Sequence, residues 1–125
     1  MIRRYMKVVD VIAVHDRQIE VFGGGTGLRD KGALESAIHR PQTGYYSDLI
    51  QEAAAFWESL SQNHPFVDGN KRTAIVSTLA FLKVNGVQLT ATDTEVLVFV
   101  RELYEAGQVS MSNLESWLRA NTMPL

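Results

Sequence analysis

The sequence predicts an all-α fold, a single compact domain of about six helices, and three observations carry that prediction. Apolar residues recur at three- and four-residue spacing along most of the chain while strict alternation is scarce, which is the pattern of helices rather than half-buried strands. Two Ser/Thr-x-x-Glu segments, beginning at Thr92 and Ser112, have the form of capping boxes that open helices. The chain has 125 residues, enough to close one core and too few for two, and no linker or internal repeat divides it, so residues 1–125 read as one domain.

The first helix is expected from about Val8 to Val21, with Val8, Ile12 and Ile19 on one face. It ends at Phe22-Gly23-Gly24-Gly25-Thr26-Gly27, where four glycines in five positions make a flexible turn, since glycine costs a helix about 1 kcal/mol relative to alanine. A short helix near Ala33 to His39 follows, with Asp30 as its N-cap, and Pro41 stops it. Gln42 to Ser47 is a loop bearing Thr43, Tyr45 and Tyr46. Asp48 with Gln51 opens a strong helix to about Asn63 that carries Ala53, Ala54, Ala55, Trp57 and Leu60, and Pro65 blocks its continuation. A helix from about Asn70 to Asn85 carries Ala74, Ile75, Leu79, Phe81 and Leu82; it is apolar on most faces, hence central, and Gly86 closes it. The box at Thr92 starts a helix with Val96, Leu97, Val100 and Leu103 that stops at Gly107, and the box at Ser112 starts the last, which packs Trp117 and Leu118 and frays near Pro124.

Composition excludes several classes of function. Lys plus Arg number 12 against 14 Asp plus Glu, a net charge of -2, which lacks the basic excess of a nucleic-acid binder and argues against a direct nucleic-acid partner. Cysteine is absent, so a disulfide framework, a thiolate zinc site and a cysteine nucleophile are all excluded, and a reducing cytoplasm is the expected compartment. The basic N-terminus is followed by a stretch broken by Asp10, His15 and Asp16, unlike a signal peptide. The longest uncharged run, Thr73 to Leu82, is about half the ~20 residues of a membrane span, so no membrane association is expected.

Chemistry concentrates in one segment. Between the two most apolar helices, His64-Pro65-Phe66-Val67-Asp68-Gly69-Asn70-Lys71-Arg72 holds an imidazole, a carboxylate, an amide and two cations. Burying such groups unpaired costs roughly 1 to 3 kcal/mol each, so the loop faces solvent or a ligand. The helix starting near Asn70 offers unpaired N–H groups and a positive dipole end to an anion, and Gly69 lets that backbone come close. Lys71 and Arg72 oppose the dipole in that first turn unless an anion neutralises them. Asp68 is placed to hold a divalent ion, and His64, with a neutral-range pKa, to accept a proton from a hydroxyl. Base, metal ligand and anion cradle are the parts a phosphoryl transfer requires.

This segment resembles the Fic signature H-x-F-x-[DE]-G-N-[GK]-R, every fixed position of which is met by His64, Phe66, Asp68, Gly69, Asn70, Lys71 and Arg72. Gly27-Leu28-Arg29-Asp30-Lys31-Gly32-Ala33-Leu34-Glu35-Ser36-Ala37, with Arg40-Pro41-Gln42 after it, is similar to the N-terminal half of death-on-curing (Doc) toxins. The resemblance implies the all-helical Fic fold and the toxin of a toxin–antitoxin pair. It also implies His64 as catalytic base, Asp68 as Mg²⁺ ligand, and a nucleotide-binding set of Phe66, Gly69, Asn70, Lys71 and Arg72. In that set Gly69 to Lys71 form the anion hole, Arg72 contacts nucleotide phosphate at the reacting centre, and Phe66 anchors the loop in the core.

Adenylyl-transferring Fic enzymes usually carry glycine at the position of Lys71 and a second arginine at that of Ile75. A lysine narrows the cradle and adds a point charge, which favours transfer of the γ-phosphoryl group of ATP. Doc-type resemblance accordingly implies a Mg²⁺- and ATP-dependent protein kinase that modifies a hydroxyl of a translation elongation factor and arrests growth. Adenylyl transfer to a protein hydroxyl, a non-catalytic binding toxin and a nuclease-type toxin are the alternatives. No S/T-x-x-x-E-[GN] inhibitory helix is present, so a separate small antitoxin is expected to cover the site. By the same analogy the loop Gln42 to Ser47 lies where a target-gripping flap sits. His15 and His39 read as surface or core histidines, Trp57 and Trp117 as core, and the run Gly23 to Gly27 as a turn, since no G-K-[ST] follows it. Tyr45 and Tyr46 fit a partner contact and core cover equally.

Overall fold

The computed structural model describes residues 2–125. Its elements in order are α1 (Val8–Phe22), α2 (Lys31–His39), a 3₁₀ turn (Arg40–Gln42), α3 (Leu49–Asn63), α4 (Asn70–Val84), β1 (Val87–Leu89), α5 (Asp93–Glu105), α6 (Met111–Ala120) and β2 (Thr122–Pro124). The six helices are those the apolar periodicity predicts. Their caps explain most of the boundaries: Asp30 accepts from the Ala33 N–H, Asp48 from Gln51 and Thr92 from Glu95.

α3 occupies the centre. It packs most extensively against α4 and α6, and Ala53, Ala54, Ala55, Phe56, Trp57 and Leu60 are all buried along it. The three consecutive alanines leave room for neighbours on more than one side, which is why α3 rather than α4 is the most enclosed helix; α4 exposes Val76, Lys83 and Val84. Trp57 packs edge-on against Phe99 of α5 and Trp117 of α6, whose rings stack at 4.6 Å, so α3, α5 and α6 share one aromatic seam.

Two local expectations are corrected. α6 starts two residues before the Ser112 box: Ser110 is the N-cap and accepts from the Asn113 N–H. The C-terminus does not fray, because β2 pairs antiparallel with β1 in the register Val87↔Pro124, Gln88↔Met123, Leu89↔Thr122. α2 ends at His39, ahead of Pro41, as expected, and Pro41 itself is buried in the 3₁₀ turn that follows. The loop before α3 also divides its tyrosines: Tyr46 accepts a hydrogen bond from Arg40 Nε at 2.7 Å, while Tyr45 is 85% exposed. Among the described residues no helix is long and apolar enough to cross a membrane.

Candidate active site

The segment His64–Arg72 joins the two helices that pack most closely, and its backbone is tightly determined. α3 ends on His64 with φ 46° and ψ 57°, the left-handed region that costs a non-glycine residue roughly 1–2 kcal/mol. That strain is held by Arg29, whose guanidinium donates from Nε at 2.8 Å and from Nη2 to the His64 carbonyl, and from Nη2 to the Asn63 carbonyl at 3.0 Å. Asn70 closes the other end, because its side chain both accepts from the Phe66 N–H and donates to the Phe66 carbonyl, each at 3.0 Å. Phe66 is 2% exposed and stacks on His15, so it anchors the loop from below.

The glycine-rich turn before α2 runs alongside this loop. Pro65 O accepts from the N–H groups of Arg29 and Asp30, the Val67 N–H donates to Gly27 O, and Leu28 and Phe66 form an antiparallel bridge. The Gly25 N–H donates to Asp68 Oδ2 at 3.1 Å. A side chain on Gly24 would begin 2.7 Å from that same oxygen, on a backbone with φ 118°, so only glycine lets the turn approach the carboxylate. The run Gly23 to Gly27 is therefore a turn, as its composition suggests, and also a strap across the loop.

Asp68 is gripped twice, since the Gly69 N–H donates to its Oδ1 at 2.8 Å. These backbone donors, Gly25 first and then Gly69, hold its carboxyl below the ordinary carboxylate pKa, with Arg72 and His15 adding smaller contributions. Gly69 then starts α4 with φ 75° and no side-chain cap, so the first N–H groups of the helix have no intrahelical partner.

Six of the residues singled out in the sequence meet at one cavity of about 460 Å³: His64, Asp68, Gly69, Asn70, Lys71 and Arg72 line it, with Val67, Ile75, Leu97 and Val100 as apolar wall. Phe66 lies beneath it. Arg72 leans toward the end of α1, donating to Gly23 O at 3.2 Å with its guanidinium 5.3 Å from the Phe22 ring, and its Nε is buried with no partner among the described residues. The Lys71 ammonium lies 5.3 Å from the centre of the Tyr104 ring on α5. One ionised carboxylate, uncapped helix amides and a guanidinium with unused donors are the donor set that Mg²⁺ and a polyphosphate require, because Mg²⁺ in such sites relies on one or two carboxylates and the phosphates themselves. Among the described residues no cluster of three or more His, Asp or Glu could hold a metal without such help.

Sequence reasoning missed three contributors. His15, read as an ordinary surface or core histidine, is buried directly under Asp68; Arg29 clamps His64; and the glycine turn grips Asp68. The Gly27–Ala37 resemblance was the one signal that pointed near them.

An all-helical domain with a cation-rich cavity at the start of its fourth helix is the class of protein that fold and site define. A sequence model of the Fic/DOC family matches residues 5–82, from before α1 to near the end of α4. The chain belongs to the Fic/DOC family and has its all-α fold. It is 34% identical over 120 residues to a protein of Escherichia phage P1 named protein kinase doc, covering 93% of this chain and 94% of that one. It is also 48% identical over 75 residues to toxin Doc of Mycolicibacterium smegmatis, covering 56% of this chain and 58% of that protein.

Proposed function

We propose that this chain is a cytoplasmic Doc-type toxin that transfers the γ-phosphoryl group of ATP to a hydroxyl of a translation elongation factor. The observation that carries the reading is the convergence of His64, Asp68 and the uncapped start of α4 on one cavity. His64, exposed at the mouth, takes the proton of the incoming hydroxyl on a ring nitrogen. The hydroxyl oxygen bonds to the γ-phosphorus as the β–γ bridging bond breaks and ADP leaves. The amides from Gly69 to Lys71 and the guanidinium of Arg72 receive phosphate oxygens, and Asp68 is the carboxylate for Mg²⁺. A Mg²⁺ held by Asp68 would supply neutralisation of phosphate charge. The phage relative's name supports the kinase chemistry and the mycobacterial relative's name supports a toxin; a separate antitoxin would dock over the cavity, where Val67 and Leu97 are 59% and 63% exposed.

Adenylyl transfer is the second reading: the Lys71 ammonium, expected to narrow the cradle, lies 5.3 Å from the centre of the Tyr104 ring, engaged by α5 while it lines the cavity.

Incubating pure protein and target lysate with γ-labelled or α-labelled ATP separates the two. Label carried from the γ position is expected, and label carried only from the α position overturns the kinase reading. His64→Ala should lower transfer at least ~100-fold, the smaller end of what a general base contributes. If His64→Ala arrests growing cells as the parent does, the chain acts by binding alone.

A further inference from the structure

We infer that His15 is a positioning residue of this site: it fixes the peptide unit between Asp68 and Gly69 and thereby the aim of the Asp68 carboxylate. The inference rests on the reading of Asp68 as the ligand for a divalent ion. His15 sits on α1, 1% exposed, and its Nε2 lies 2.8 Å from the carbonyl oxygen of Asp68. A carbonyl only accepts, so Nε2 carries the proton and donates. The other ring nitrogen, Nδ1, lies 3.5 Å from Asp16 Oδ1, on an exposed side chain. The ring is parallel to Phe66, 5° from coplanar at 3.9 Å between centres, and its Cδ2 is 3.7 Å from where a side chain on Gly69 would start. One imidazole thus touches Phe66, Asp68 and Gly69 in turn.

The peptide unit explains why this contact reaches the cavity. A peptide bond is planar, so the Asp68 carbonyl and the Gly69 N–H point to opposite sides of one rigid plate. His15 holds the carbonyl, and the N–H on the far side grips Asp68 Oδ1 at 2.8 Å. Gly69, with φ 75°, offers little steric resistance to rotation of that plate. Without the His15 donor the plate turns, the grip on Oδ1 loosens, and the first amides of α4 shift with it. Phenylalanine in the same place would fill the space and keep the stack, but it has no donor.

The test compares His15→Phe and His15→Gln with the parent, using electron paramagnetic resonance to measure Mn²⁺ affinity in the presence of ATP, alongside KM and kcat for Mg²⁺–ATP. His15→Phe should weaken Mn²⁺ binding about tenfold and raise KM, the low end of what residues behind a metal ligand contribute. His15→Gln, whose amide can donate, should recover part of the loss. A folded His15→Phe with parental Mn²⁺ affinity and KM overturns the inference. If Asp68→Asn loses Mn²⁺ binding while His15→Phe does not, the inference alone falls; if Asp68→Asn binds as the parent does, the reading of Asp68 falls with it. Nitrogen NMR of the parent decides the matter without a variant, since a proton on Nδ1 and none on Nε2 also overturns it.

Discussion

At the scale of single residues, Asp68 has an exposed carboxylate that is nonetheless held on both oxygens, by the Gly25 and Gly69 N–H groups. Those donors favour the charged form, so its pKa falls below the ordinary value of 3.8. Because the folded pKa is the lower one, the stability this carboxylate contributes is fully present above the ordinary value of 3.8 and is lost as pH falls through the folded one. A carbon-13 NMR titration of the Asp68 carboxyl should give a midpoint below 3.8, and one at or above 3.8 would show that the glycine strap does not grip it in solution. His64 presents the complementary case, a side chain left free at the cavity mouth on a backbone that Arg29 holds in the left-handed region.

At the scale of elements, caps decide where helices begin, and they were legible only where the decision is local. Asp48 with Gln51 and Thr92 with Glu95 complete their hydrogen bonds within four residues, so the sequence pattern suffices. α6 has two candidate serines, Ser110 and Ser112, and the choice comes from α3: Glu58 Oε2 accepts from the Met111 N–H at 2.7 Å, while Glu58 Oε1 pairs with Arg40 at 2.7 Å. A carboxylate from a distant helix thus helps to hold the first turn of α6, and local pattern carries no trace of it. Ser110→Ala should cost about 1 kcal/mol, read by chemical denaturation, and the exposed Ser112→Ala no more than a few tenths. Equal losses for the two would return the cap to Ser112. The strands were illegible for a related reason: β1 and β2 have three residues each, too few to display alternation, and they are joined across α5 and α6.

At the scale of the whole molecule, the site divides into a part written in nine consecutive residues and a part supplied by segments 35 to 53 positions away along the chain. The first was readable because imidazole, carboxylate, glycine and cations sit together. The second was not, because Gly25 acts through its backbone N–H while Arg29 and His15 direct their side chains at backbone carbonyls, and only the Gly27–Ala37 resemblance pointed near them. This division ties the site to the stability of the entire fold, since the cavity draws on the α3–α4 junction, on Leu97 and Val100 of α5, and on the strap between α1 and α2. A ligand that binds there favours the folded chain over the unfolded one by about 2.7 kcal/mol at a free concentration one hundred times its Kd. For a domain of this size that amounts to several degrees in Tm. Calorimetry with rising Mg²⁺–ATP should show a Tm that climbs with the logarithm of concentration, and Asp68→Asn should abolish the part of the rise that needs Mg²⁺. A Tm that stays fixed at millimolar Mg²⁺–ATP would mean that the cavity does not take the nucleotide, and the phosphotransferase reading would fall with it.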